Sequence, residues 1–233
     1  MSKIDVCLIA HTPDPDNVVY MAAKTCYSKE VDYLADHSTS NRAKLIRSVV
    51  ASGHTSILEH VSYSFGITGV SRVFLAQVTR HRVGVAFSVR SMRYVDLTQM
   101  ELDDMYYPTS DKVPFTQSYH QSLQDYQRLV DHGVPKEDAR YVLPNGAPSP
   151  MMLTMNTREL LHYFSLRCCE RAQTEHRIVA NKMLNLAKTT SEVIFEKAGP
   201  SCVLLGYCPE GTRSCGKAPT LDELLTAYKE THQ

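Results

Sequence analysis

The sequence contains neither GxGxxG nor GxxxxGK[ST], so it lacks the two backbone cradles that most often hold a nucleotide phosphate. Any nucleotide bound here must be gripped by side chains. HExxH, GxSxG and paired CxxC motifs are missing as well, which removes the usual signatures of zinc peptidases, serine hydrolases and zinc-ribbon sites. No stretch approaches the ~18 consecutive apolar residues needed to span a bilayer. Lys plus Arg and Asp plus Glu number 25 each, so the basic excess of a general nucleic-acid binder is absent. Residues 1–10 carry one Lys and a short apolar run broken by Asp5, which resembles neither a signal peptide nor a transit peptide; a cytoplasmic location is expected.

What is present is an ordinary globular composition, 43% hydrophobic and 21% charged over 233 residues. With no internal repeat, low-complexity linker or composition break, residues 1–233 read as a single α/β (α+β) domain, a mixed sheet flanked by helices. The seven cysteines are Cys7, Cys26, Cys168, Cys169, Cys202, Cys208 and Cys215. An odd count without a secretory signal predicts reduced thiols.

Residues 3–10 read as a buried strand, and Asp14 with Pro15 as the start of a helix through Val18, Met21, Ala22 and Cys26. Residues 28–40 read as a loop and 41–51 as a short helix. Val61, Tyr63, Phe65 and Ile67 alternate as in a strand, and residues 69–79 switch to helical spacing. Residues 80–95 resist assignment. Phe115, Tyr119, Leu123, Tyr126 and Val130 predict a helix, Pro135 opens a short one ending near Tyr141, and 151–155 suit a strand. Asn156 caps a helix to about Cys169. A long helix over 174–197 is stopped by Gly199-Pro200. The tail from about 201 reads as irregular until Thr220-x-x-Glu223, a capping box for a last short helix.

Chemistry concentrates in arginine. Arg80, His81, Arg82, Arg90 and Arg93 fall within fourteen residues, with Ser88 and Ser91 among them, and no acidic residue stands between Glu59 and Asp96. Arginine's planar fork suits bidentate binding of phosphate oxygens. The segment is either an anion pocket or a surface loop paired with carboxylates elsewhere. On the next polar helix, Arg158 and His162 share a face, and Arg167 and Arg171 form a second pair rotated away; Glu159, Glu170 and Glu175 are the alternative salt-bridge partners. His54, Glu59 and His60 do not follow a zinc spacing, and Cys202-x5-Cys208-x6-Cys215 offers three thiols at unsuitable intervals, so no metal is expected.

Arg80-His81-Arg82 followed by Ser91-Met92-Arg93-Tyr94 resembles the signature of the flavin-dependent thymidylate synthases. Further pieces occur in the family's order: residues 21–28 (MAAKTCYS), Gly53-His54 with Leu58-Glu59-His60, Gln77, Arg140-x-x-Leu143-Pro144, Met155-Asn156-x-Arg158, and Leu166-Arg167 with Ala172-Gln173-x-Glu175. The spacing departs by one residue: eight, not seven, separate Arg82 from Ser91, and Arg90 stands before the serine, leaving open which of Ser88, Val89, Arg90 and Ser91 contacts ligand. The resemblance implies reductive methylation of dUMP to dTMP, with 5,10-methylenetetrahydrofolate as carbon donor and NADPH as reductant through FAD. It implies a homotetramer with shared active sites. It assigns dUMP to Gln77, Arg80, Ser91, Arg93, Arg140 and Arg167, with Arg167 catalytic, and FAD to Ser56, Arg80, His81, Arg82, Asn156, Arg158 and His162. The expected partners are these small molecules and other copies of the chain, not nucleic acid or membrane. Two alternatives stand beside it: a non-catalytic anion- or nucleic-acid-binding module, and a degenerate relative that binds flavin and nucleotide without turnover.

Overall fold

The computed structural model of the chain describes residues 4–33 and 38–231. Lys3 of the expected first strand and residues 34–37 of the expected loop lie outside the described residues. Four strands, β1 (Asp5–His11), β2 (Ser62–Thr68), β3 (Val85–Val89) and β4 (Met151–Asn156), form one sheet in the order β1-β2-β4-β3. The helices are α1 (Pro15–Tyr27), α2 (Thr39–Ala51), α3 (Arg72–Val78), α4 (Val113–Asp131), α5 (Lys136–Ala139), α6 (Thr157–Arg167), α7 (Thr174–Lys188), α8 (Ser201–Leu205) and α9 (Leu221–Thr231).

The pairing is antiparallel, which corrects the expected mixed sheet. Thr12 N donates to Ser62 O (3.0 Å), joining the end of β1 to the start of β2. For β2 and β4 the bonds are Thr157 N to Val61 O (2.8 Å) and Ser149 N to Val70 O (2.7 Å). For β4 and β3 they are Asn156 N to Gly84 O (2.9 Å) and Arg90 N to Pro150 O (3.0 Å). The reason is topological. The β2–α3–β3 connection leaves a gap between its two strands, and β4 fills the gap running against both. β1 is the other departure. It reads as a buried strand but, at the sheet edge, buries only Val6 within its length.

The chain gathers into two compact units. The first comprises Met1–Cys7, Phe65–Arg82 and Ala86–Leu153. Its apolar core includes Met92, Leu97, Met105, Tyr107, Tyr119 and Tyr126. The helical spacing in α4 puts Tyr119 and Tyr126 on the buried face. The Tyr119 hydroxyl donates to Tyr106 O (3.0 Å), which satisfies its polar end inside the core.

The second unit comprises Leu8–Ser64, Val83–Val85 and Thr154–Gln233. Asp14 caps α1 as its sequence suggests, its Oδ1 accepting from Asn17 N (3.3 Å). Tyr63, Phe164 and Phe195 are buried and meet edge to face, at ring separations of 5.5 and 6.2 Å. The Tyr63 hydroxyl bonds Thr190 Oγ1 (2.9 Å), and burial pushes its phenol up to about 12.

Helix α7 ends at Lys188, nine residues before the expected stop. Local hydroxyls explain the difference. Thr189 and Thr190 donate to Leu186 O (2.7 Å) and Ala187 O (2.8 Å), while Ser191 Oγ accepts from Ile194 N (3.0 Å). Such side chains offer the backbone an alternative to the next helical turn. The tail is more regular than expected, since it holds α8 before the capping box. That box is formed as expected: Thr220 N donates to Glu223 Oε2 (2.7 Å), and Glu223 N to Thr220 Oγ1 (3.3 Å). All seven cysteines are free. Among the described residues no helix is long and apolar enough to cross a membrane.

Candidate active site

The arginine segment divides into short pieces of regular structure. In the first unit, Ser71 caps α3 by accepting from Phe74 N (3.2 Å), and Phe74 and Val78 anchor the helix in the core. Gln77 lies in its last turn, half-buried. The chain then turns tightly, with Arg80 N donating to Gln77 O (3.3 Å) and His81 N to Val78 O (3.1 Å). This turn exposes Arg80 and Arg82 and buries His81 between them.

Beyond the turn, residues 85–89 form β3, the strand the sequence left unassigned. Val85, Phe87 and Val89 are half-buried while Ala86 and Ser88 are exposed, a period of two that the surrounding arginines mask in the sequence. Arg90 continues the ladder through its backbone, with its side chain exposed. At Ser91 the ladder gives way to a turn. Its Oγ accepts from Arg93 N (3.2 Å), and its carbonyl accepts from Val95 N (3.0 Å).

That turn delivers Arg93 to α5. Arg93 Nε meets Glu137 Oε2 at 2.7 Å, and the Nε of Arg140 donates to the Glu137 carbonyl at 2.9 Å. Two guanidinium groups, 47 positions apart in sequence, are thus tied to one residue. A second ion pair, Lys136 Nζ to Asp96 Oδ2 (2.8 Å), joins the same turn to the same helix. The Lys136 hydrogen bond, helped by Thr98, holds the Asp96 carboxyl down at about 2.

In the second unit, Asn156 ends β4 and caps α6, its Oδ1 accepting from Glu159 N (2.9 Å). Gly84 packs directly on that side chain. Its φ is +66°, and a Cβ there would stand 2.6 Å from Asn156 Cγ. Thr157, fully buried, bonds Val61 O through both its N (2.8 Å) and its Oγ1 (3.1 Å). Leu160, Tyr163 and Phe164 turn the inner face of α6 into the core, so Arg158 and His162 share the exposed face, as their spacing predicts. Arg158 Nη1 pairs with Glu59 Oε1 (2.5 Å), not with Glu159, Glu170 or Glu175. Glu59 belongs to a 3-10 turn, Thr55–His60, pinned by buried Ile57 and Leu58, in which Ser56 is exposed.

Arg167 occupies the last turn of α6, half-buried beside Tyr163, whose phenol burial pushes well above its ordinary value while the nearby cation pulls the other way. Arg171 falls outside the helix, which corrects its expected pairing with Arg167. Arg177 Nη1 captures Glu170 O (2.9 Å) and Ala172 O (3.4 Å), and Ala172 N donates to Cys169 O (2.9 Å), so the chain turns instead of continuing α6. Cys168, next to Arg167, is buried, and that burial raises its thiol to about 12, which leaves it protonated and unreactive.

Sequence reasoning missed Glu137 and Gly84. Glu137 has one local signal, its place three residues before Arg140 just after a Pro. Gly84 has another, a glycine immediately before an alternating segment.

The result is an antiparallel α+β protein without a phosphate loop, with exposed arginines at the ends of strands and helices and two guanidinium groups tied to Glu137. Residues 7–191 match the family described as thymidylate synthase complementing protein, Thy1, and the chain belongs to that family. The matched span contains every site residue expected from the sequence and ends before the tail. The flavin-dependent thymidylate synthase of Geobacter sulfurreducens is 44% identical over 227 residues, covering 94% of this chain and 97% of that protein. Among solved structures, the UMP/dUMP methylase PolB from Streptomyces cacaoi, bound with 5-Br dUMP, is 27% identical with a TM-score of 0.72, covering 84% of this chain and 94% of that one. The flavin-dependent thymidylate synthase ThyX from Helicobacter pylori, complexed with FAD and dUMP, shares the fold at a TM-score of 0.70 and 22% identity, covering 84% and 99%.

Proposed function

We propose that this chain catalyses the reductive methylation of dUMP to dTMP, with 5,10-methylenetetrahydrofolate as carbon donor and NADPH as reductant. The observation that carries the reading is the family match across residues 7–191, within which the arginine segment and α6 both fall. The residues present suit a flavin dinucleotide held without a backbone cradle. Exposed Ser56 supplies a hydroxyl donor, and the Arg158–Glu59 pair ties a guanidinium to the same 3-10 turn, a donor set matched to a diphosphate. Ser56, Arg80, His81, Arg82, Asn156, Arg158 and His162 are the residues assigned to FAD. When bound, FAD supplies the reducing equivalents taken from NADPH.

Within that reading, Arg93 and Arg140 grip the dUMP phosphate, with Arg80, Gln77 and Ser91 completing its contacts. The Ser91 lone pair already accepts from Arg93 N, so its hydroxyl proton remains to donate to the nucleotide. Arg167 stands beside the pyrimidine. A guanidinium there favours negative charge on the ring nitrogen and carbonyl, which raises the electron density at the carbon to be alkylated. Its half-buried setting strengthens that effect relative to water. No thiol is required as nucleophile, in keeping with the protonated Cys168. The chain works as one synthase domain over residues 1–233, in the cytoplasm, as a homotetramer whose sites draw on several subunits.

The test is direct. The purified protein should absorb in the flavin region and, given dUMP, methylenetetrahydrofolate and NADPH, should form dTMP. A colourless protein that fails to take up added FAD would overturn the proposal. A yellow protein whose flavin is reduced by NADPH without dTMP appearing would identify the degenerate relative instead.

A further inference from the structure

Glu137 stands in an unusual electrostatic position. Its carboxylate is the ion-pair partner of Arg93 (2.7 Å), and its backbone carbonyl accepts from Arg140 Nε (2.9 Å). Two cations gathered into one corner repel, and a carboxylate beside them offsets that repulsion while no substrate anion is there. Both tethers use Nε, the nitrogen next to the stem. The terminal Nη groups that make up the phosphate-binding fork are not what ties either arginine down. The two tethers differ in kind, however. Arg140 is held by a main-chain carbonyl that any residue at 137 would supply. Arg93, its own side chain 56% exposed, is held by a charged side chain, 41% exposed, that an incoming anion can replace. The corner is also fixed from outside by the Lys136–Asp96 pair, so exchange of the Arg93 partner does not require the turn to leave α5.

We propose that Glu137 is a positioning residue: its carboxylate holds Arg93 in the empty site as a stand-in for the dUMP phosphate and yields the guanidinium when the nucleotide binds. This rests on the reading that Arg93 and Arg140 meet that phosphate. Removing the carboxylate charge removes a competitor. An exposed ion pair of this kind alters an equilibrium by up to about fivefold, so Glu137→Gln should tighten dUMP binding about two- to fivefold without raising kcat. Inorganic phosphate, used as a competitive probe, should inhibit the variant at concentrations lower by the same factor.

A double-mutant cycle on the full-length, FAD-loaded protein separates this from a merely structural role. The gain from Glu137→Gln should vanish in an Arg93→Ala background and persist in an Arg140→Ala background, because only Arg93 is bound through the side chain. Weaker or unchanged dUMP binding in Glu137→Gln, with Arg93→Ala itself weakening dUMP, would refute the stand-in role and leave the phosphate assignment intact. An Arg93→Ala variant that binds dUMP as tightly as the parent would instead refute the phosphate assignment, and the stand-in role with it.

Discussion

Gly84→Ala probes the close packing of Gly84 on Asn156, the cap of α6. Gly84 has a φ of +66°, where a residue bearing a Cβ is less stable by roughly 1–2 kcal/mol. The added methyl would also stand 2.6 Å from Asn156 Cγ and overlap the carboxamide nitrogen, so the Asn156 side chain must leave its position. Leaving breaks the bond from Glu159 N to Asn156 Oδ1, an N-cap worth about 0.5–2 kcal/mol. The combined loss is about 1.5–4 kcal/mol, which for a chain of this size lowers Tm by roughly 5–15 °C. Thermal unfolding followed by circular dichroism measures it. Asn156→Ala alone should show only the cap loss. In that background Gly84→Ala should show only the backbone strain, so the two losses are less than additive. Because Asn156 is also assigned to FAD, both variants should retain less flavin after gel filtration. A Gly84→Ala protein as stable as the parent would refute the strain argument. A full-sized loss that persists in the Asn156→Ala background would refute the overlap with the carboxamide.

Other outcomes follow from the same geometry. Arg167→Ala should lower dTMP formation by about 100-fold or more, the usual effect of deleting a group that stabilises developing negative charge, while flavin absorbance is retained; undiminished turnover would exclude the catalytic role. The Asp96 carboxyl lies at about 2, below its unfolded value, through its Lys136 and Thr98 hydrogen bonds, so its contribution to stability is present above about pH 4 and lost as pH falls toward 2. Asp96→Asn should therefore be less stable than the parent near neutrality, and the gap in Tm should close as the pH is lowered through that window; a gap constant down to pH 2 would contradict the pairing. Ser191→Ala removes a hydroxyl that donates to Asp16 and accepts from Ile194 N, while burial already holds the Asp16 carboxyl above its ordinary value. Urea denaturation should show a loss of about 1–3 kcal/mol, as expected when a partly buried polar partner is deleted, and a neutral result would count against this cap on the segment after α7.

The sequence was most legible where one local pattern decides the structure. The α4 spacing, the Asp14 and Asn156 caps and the Thr220–Glu223 box were each visible in a few consecutive residues, and each formed. It was least legible where distant segments decide. β3 is only five residues long and flanked by Arg82 and Arg90, so its alternation is too short to stand out from the charged segment around it; it becomes a strand because β4, some sixty positions later, supplies the ladder between it and β2. The same insertion makes the sheet antiparallel where a mixed sheet was expected. The long helix expected over 174–197 failed for the opposite reason. Its apolar periodicity continues to Ile194, but three consecutive hydroxyl residues at 189–191 give the backbone local partners and end α7 at Lys188. The candidate site shows both cases together. Its arginines stand out individually in the sequence, since a run of cations without neighbouring acids is rare on a solvated helix face. Their partners do not: Glu59 reaches Arg158 across 99 positions, and Glu137 reaches Arg93 across 44. A motif names the groups that meet a ligand, whereas the acids that aim those groups are chosen by the fold, and a single sequence carries no periodic trace of them. Glu137 therefore became visible only when the turn after β3 and the start of α5 were seen to share it.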